Sequence, residues 1–259
     1  MLVISLFGNV LSKGVKAIMK FLPKGKKYNI RTHVNDKLKN YTVVQGGCAG
    51  DTYIYLIFEN KSNNKCKIVK LHGTTFKMTK CSKALNIGHG NSVCIKNNIL
   101  YITHSGTTNV IHTVNNSTLE KGKDIVVKNP KKYEGATAFN GIALYKDGFI
   151  LRGMGSNKLF ICDNHFVITG MITAESIYTS QDMATYNNQI IRAFSDLQSS
   201  TKNWIYYYNY SGKLLKKNKV NVTGELENIF IFKGKLYGTV YRKYKKNGKM
   251  KYCAYVFQV

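Results

Sequence analysis

One pattern recurs five times along the 259 residues and leaves few folds open to them. In residues 179–194 a polar residue, Gln181, leads into an apolar strand, an Asn187-Asn188 turn and a second apolar strand ending Ile190-Ile191-Arg192-Ala193-Phe194. The same parts follow in the same order in residues 225–240, 138–151 and 89–102, and in degenerate form in 45–58. The equivalent leading positions are Gly47, Asn91, Asn140, Gln181 and Glu227, at spacings of 44, 49, 41 and 46 residues. A strand-only period of about 40 to 50 residues is the mark of a β-propeller with one four-stranded sheet per blade. The fold class expected is therefore all-β, a five-bladed β-propeller.

Composition agrees with strands: 2 Pro against 18 Tyr and 12 Phe, residue types that favour a pleated surface. The blades are expected at about 40–86, 87–134, 135–177, 178–224 and 225–259. The last holds three strands, near 228–232, 235–241 and 251–258. A ring leaves no exposed edge only if something completes that blade, so residues 28–34 are expected beside the C-terminal strand.

Residues 1–27 stand apart from the repeat. Ile4, Phe7, Leu11, Val15, Ile18 and Leu22 share one face at helical spacing, with Lys13, Lys16 and Lys20 largely opposite and Pro23-Lys24 at the end. This predicts an N-terminal basic amphipathic helix, suited to an anionic membrane surface or to packing on the propeller. It lacks the charged start and small-residue cleavage site of a secretory signal, and its lysines interrupt it too often to span a bilayer.

The charge is the strongest functional signal, 39 Lys and Arg against 13 Asp and Glu for a formal +26. Such a chain is drawn to polyanions: an anionic membrane, a cell-wall polymer or nucleic acid. The densest run is 241–252, where alternation is expected to set Arg242, Lys246 and Lys251 together with Tyr244 and Tyr252, flanked by Lys243 and Lys245 around an Asn247-Gly248 turn. The same run also guards a sheet edge against aggregation. Six cysteines show no Cys-x-x-Cys spacing and sit mostly in apolar runs, as buried thiols do.

In a propeller the first strand of each blade lines the central channel, so Gln45, His89, Asn91, Asn140, Gln181, Asp182, Glu225 and Glu227 are expected to converge. Asn91, Asn140, Asp182 and Glu227 offer the carboxylate and amide oxygens that Ca2+ takes, and positionally this resembles the lactonase propellers of the regucalcin and paraoxonase kind. The same side chains would equally serve to bond strand ends and channel waters. His89 and His104 stand near the second inner strand as candidate bases. No Gly-x-Ser-x-Gly elbow or phosphate loop is present.

Tyr41-Thr42-Val43-Val44-Gln45-Gly46, Gly88-His89-Gly90-Asn91-Ser92 and Gly224-Glu225-Leu226-Glu227-Asn228-Ile229 resemble, in order, landmarks of the helveticin J group of bacteriocins over roughly residues 40–259. The resemblance implies a cationic, secreted antibacterial propeller that damages target envelopes, although this chain is shorter and adds residues 1–27. The leading expectation is a non-enzymatic, envelope- or membrane-directed protein, extracellular or at the cell surface. In it Phe7, Leu11, Lys13, Lys16, Ile18, Lys20 and Lys24, with Arg242, Lys243, Lys245, Lys246 and Lys251, meet the anionic surface. The alternatives are a calcium-dependent hydrolase or lactonase with its site in the channel, and a nucleic-acid-binding propeller.

Overall fold

The computed structural model describes residues 27–29, 38–106, 108–196 and 202–259. The helix expected over 1–27 lies outside these residues apart from Lys27, as do residues 30–34.

Among the described residues twenty strands form five four-stranded antiparallel sheets. After β1 (Lys27–Asn29), the first sheet holds β2 (Val43–Ala49), β3 (Tyr53–Asn60), β4 (Lys65–His72) and β5 (Met78–Cys81). The second holds β6 (Ser92–Lys96), β7 (Ile99–Thr103), β8 (Val110–Asn115) and β9 (Ile125–Val126). The third holds β10 (Phe139–Tyr145), β11 (Gly148–Gly153), β12 (Lys158–Cys162) and β13 (Ile168–Thr173), and the fourth β14 (Thr179–Tyr186), β15 (Gln189–Ser195), β16 (Asn203–Asn209) and β17 (Leu214–Val220). The fifth runs β18 (Glu225–Phe232), β19 (Lys235–Lys246), β20 (Lys249–Gln258) and then β1, with Lys27 opposite Phe257 and Asn29 opposite Tyr255. A strand from the start of the chain thus completes the sheet made by its end.

The five first strands neighbour one another in a closed ring: β2, β6, β10, β14, β18 and back to β2. The core is correspondingly divided into five layers, each between consecutive blades. The strand Tyr53-Ile54-Tyr55-Leu56-Ile57-Phe58 shows why. Ile54, Leu56 and Phe58 pack toward the fifth blade, while Tyr55 and Ile57 pack toward the second. Sheets buried on both faces need strands without polar alternation, and that is how the inner strands read.

The hairpins turn where the repeat places them. Asn97 and Asn98, Asn187 and Asn188, Lys233 and Gly234, and Asn247 and Gly248 all have positive φ, the backbone that a two-residue type I′ turn requires. The first inner strand differs from its expected span of 41–44, running from Val43 through Gly46-Gly47 to Ala49. These glycines mark close approach rather than a strand end: a Cβ on Gly46 would stand 2.8 Å from the Gly90 carbonyl oxygen, and one on Gly47 2.5 Å from Asn228 Oδ1.

The last hairpin also exceeds expectation. Tyr241 opposite Glu225 is the final pair with β18, and among the described residues 242–253 pair only with one another, as a two-stranded ribbon that runs on from the sheet. Arg242, Tyr244 and Lys246 share one face with Lys249 and Lys251, whereas Tyr252 lies opposite Lys243 on the other face. Tyr252 is therefore parted from Tyr244, contrary to the expected grouping. The pleat decides this, because directly paired residues share a face and their neighbours take the opposite one.

Candidate functional site

Four of the five inner strands break register near their start: between Val44 and Gly47, Phe139 and Gly141, Ser180 and Met183, and Leu226 and Asn228. The residues released from pairing are Gln45 with Gly46, Asn140, Gln181 with Asp182, and Glu227. A bulge leaves its extra residue unpaired and re-aims it. Three of the residues that lead the sequence repeats, Asn140, Gln181 and Glu227, are thus set free by the sheets, whereas Gly47 pairs with Leu56 and Asn91 precedes β6.

Asp182 shows what this freedom does. It is fully buried, hydrogen-bonded to the Ser92 hydroxyl on β6 and accepting the Ile229 N–H on β18 at 3.3 Å. Ser92 Oγ in turn accepts the Ile142 N–H on β10 at 3.0 Å. One carboxyl joins four inner strands, and Asn228 Nδ2, donating to the Gln45 carbonyl at 2.5 Å, ties in the fifth. Burial pushes the Asp182 pKa up to about 7 against the lowering effect of its hydrogen bonds. Ser92 has a single proton and two acceptors in reach, Asp182 and the Ile142 carbonyl, so it serves one of them at a time.

Beyond Asp182 the channel is apolar. A cavity of about 150 Å³ is lined by Val93, Ile95, Ile142, Leu144, Met183 and Ile231 among others. Cys48 and Cys94 face the same cavity; burial, aided by the Asp182 charge, raises both thiols and keeps them protonated. None of the six cysteines forms a disulfide.

The titratable chemistry gathers at the opposite mouth, where the inner strands begin. Gln181 Nε2 donates to Glu225 Oε1 at 2.9 Å, and Glu225 shares a hydrogen bond with Glu227. Burial first, then the neighbouring Glu225 charge, holds the Glu227 pKa well above the usual carboxylate range. Burial also raises Glu225, while Gln181 and Lys61 oppose the shift. Glu227 therefore keeps the proton and Glu225 accepts from it. Glu59, at the end of β3, adds a third carboxylate to the field at Glu227 and lies 2.6 Å from His89 Nδ1. A contact of that length ties one ring nitrogen to the carboxyl and leaves Nε2 outside the pair. Four of only 13 acidic residues, Glu59, Asp182, Glu225 and Glu227, thus gather around one channel in a chain of +26.

The expected calcium oxygens are differently engaged. Asn91 Oδ1 accepts the Ser105 N–H, and Asp182 is held by Ser92 and Ile229. The buried Asn140 Oδ1 has no hydrogen-bond partner, and Glu227 is bound to Glu225. Among the described residues no group of three or more His, Cys, Asp or Glu is arranged to hold a metal ion. His104 sits apart from the mouth pair, its ring 4.9 Å from that of His112, which bonds Asp124 at 2.9 Å. Burial and then His112 lower its pKa.

Of the expected surface-binding residues, Phe7, Leu11, Lys13, Lys16, Ile18, Lys20 and Lys24 lie outside the described residues. Arg242, Lys243, Lys245, Lys246 and Lys251 are all exposed on the ribbon. The ribbon stands on the mouth side, since its foot pairs with Glu225. A recess of about 310 Å³ there is walled by Glu225, Tyr241, Arg242 and Lys243 among others.

Sequence reasoning passed over Glu59, Ser92, Arg152 and Arg192. Each arginine is a lone cation in an apolar strand, Phe149-Ile150-Leu151-Arg152 and Ile190-Ile191-Arg192, opposite the first residue after a bulge, Gly141 or Met183. A charge where the repeat demands a hydrophobe was the available signal.

No protein-family model and no curated protein matches the sequence, and the resemblance to the helveticin J group finds no support among these comparisons. Solved structures do match. Myxococcus xanthus glutaminyl cyclase is similar over 92% of this chain and 97% of its own, at 12% identity and a TM-score of 0.59. CoXyl43, a GH43 β-xylosidase/α-arabinofuranosidase from a compost metagenome, is similar over 92% and 94%, at 12% identity and 0.57. Regucalcin from Agrobacterium tumefaciens, a calcium-binding protein, is similar over 85% and 90%, at 10% identity and 0.51. At these identities the likeness establishes the five-bladed propeller fold.

Proposed function

We propose that this propeller is a hydrolase acting by general acid–base catalysis at the mouth of its channel. The observation that carries the reading is the Glu225–Glu227 pair, raised by burial and holding a proton beside the Glu59–His89 pair. A water-shielded carboxyl held well above the usual carboxylate range is what proton donation to a leaving group needs, and an imidazole fixed by a carboxyl at one ring nitrogen is a group that can activate water. Glu225, only half-buried, stands at the mouth and takes the proton from the buried Glu227 behind it when it donates to a leaving group, so that the pair acts as one acid. Glu59 holds the His89 ring so that Nε2 takes the proton from water. Enzymes are found among the similar propellers, which is consistent with this reading. The engaged Asn91 and Asp182 oxygens lead us to route no step through calcium.

The test is a panel of chromogenic glycosides, esters and small lactones. Turnover of at least one that persists in chelator and is lost in Glu227→Gln and His89→Ala supports the reading. A folded wild-type protein inert toward the whole panel, or undiminished turnover in both variants, would falsify it.

A second reading rests on the ribbon, where six of the ten residues 242–251 are Lys or Arg and none is acidic. In that reading the ribbon draws the protein to an anionic envelope surface and contributes binding rather than chemistry, with residues 1–27 as a second contact. Nucleic acid would meet the same charges, and then affinity falls steeply with salt for any sequence.

A further inference from the structure

We infer that the cleft between the third and fourth blades is a binding site for a small organic oxyanion, a carboxylate or phosphate ester, held by Arg152. Alternation along the strands sets this up. In β11 Leu151 packs toward the second blade while Ile150 faces the fourth, and in β15 Ile190 and Phe194 face the third blade. Arg152 and Arg192 continue those two faces, so both guanidinium groups enter the same inter-blade layer, close enough for the Arg192 charge to disfavour that of Arg152.

Hydrogen-bond partners take up only part of their donors, although the Phe194 ring lies 4.9 Å from the Arg192 guanidinium. Arg152 is 4% exposed; its Nη2 reaches only the Asn140 carbonyl at 3.5 Å, and its Nε has no hydrogen-bond partner. Arg192 donates from Nη1 to the Ala174 carbonyl, while its Nε and Nη2 are likewise unpartnered. Two carboxyls are nearby: Asp182, already engaged by Ser92 and Ile229, and Glu175, whose charge favours the Arg192 cation and whose Oε2 takes Asn157 Nδ2 at 3.0 Å. Buried donors without acceptors are costly, and charged ones most of all. Burial lowers the Arg152 guanidinium to about 9, which leaves it cationic at neutral pH.

Arg152 lines a cleft of about 460 Å³ whose walls carry Asn140, Ser156, Asn157, Ser176 and Ser180. The buried Ser180 hydroxyl and Asn140 Oδ1 also lack partners. At the rim stand Met154 and Ile177, 46% and 84% exposed. The arrangement fits a ligand with an anionic head at Arg152, hydroxyl-bonding groups along the wall and a less polar body between Met154 and Ile177. It does not depend on the catalytic reading, because none of its residues belongs to the Glu225–Glu227 or His89–Glu59 pairs.

Calorimetric titration of the full chain with inorganic phosphate, phenyl phosphate, benzoate and benzyl alcohol tests this. Phenyl phosphate or benzoate is expected to bind, whichever is tighter naming the head group, with benzyl alcohol at least tenfold weaker. Arg152→Gln should weaken the anion at least tenfold and Arg152→Lys less. Because Arg152 is buried and its variants risk misfolding, Ile177→Glu supplies the independent arm: an exposed like charge at the rim should weaken binding severalfold with the melting temperature unchanged. Inorganic phosphate should bind more weakly than phenyl phosphate. Failure of every anion to bind the folded wild type, or equal affinity in a folded Arg152→Gln protein or in Ile177→Glu, would overturn the proposal and leave Arg152 as a counter-charge to Asp182.

Discussion

A carboxyl that no water reaches makes the Asp182 position sensitive to pH. Its folded-state pKa of about 7 lies above the ordinary 3.8, so the folded state holds this proton more tightly than the unfolded chain. The stabilisation is present in full below about pH 4 and is lost as pH rises toward about 7, at up to about 1.4 kcal/mol per pH unit. Asp182→Asn keeps the shape without the charge. Chemical denaturation between pH 4 and 8 should therefore show a flatter profile for the variant, and higher stability than wild type above pH 7. Glu227 is raised in the same direction and bears on activity. If the pair donates the leaving-group proton, turnover should fall on the alkaline side, and Glu227→Gln should lower kcat by about 10²–10⁴-fold; kcat against pH on the best chromogenic substrate reads both.

The bulge and the ribbon are the elements that give this propeller its chemistry. Bulges place polar residues off the ladder at the head of inner strands, and a glycine follows where two backbones meet. Gly46 donates its N–H to the Gly90 carbonyl at 2.9 Å, joining the first blade to the second. Gly46→Ala would drive its Cβ into that same oxygen, at 2.8 Å, and should cost about 1–3 kcal/mol as measured by urea unfolding. The ribbon, by contrast, is exposed and should be separable from the fold. Replacing Lys243, Lys245, Lys246 and Lys249 by Gln should leave the melting temperature within a degree or two. In the second functional reading it should also reduce binding to anionic vesicles at low salt by about 1 kcal/mol per lysine, read by vesicle sedimentation. Unchanged sedimentation would remove the ribbon from that role.

At the scale of the whole molecule, the ring closes where Lys27–Asn29, among the described residues, pair with the last strand. Tyr28→Pro removes a backbone donor there and should lower stability by about 1–3 kcal/mol in thermal unfolding, an effect expected to exceed that of proline in an exposed turn. The sequence by itself determined the number of blades, the type I′ turns and the polar residue heading each repeat, because these rest on local periodicity and on turn backbone that Asn and Gly adopt readily. It also marked Asn140, Asp182 and Glu227 as residues of interest, since a polar side chain interrupting an apolar repeat is visible without coordinates. Only the tertiary structure decided their partners. Ser92 with Asp182, Glu59 with His89, and Arg152 beside Arg192 are brought together from different blades, across 90, 30 and 40 residues. Which face a side chain takes turns on a one-residue slip in register. The bulges that set that register arise from how the five sheets press together around the channel, a property of the closed ring that no single repeat contains.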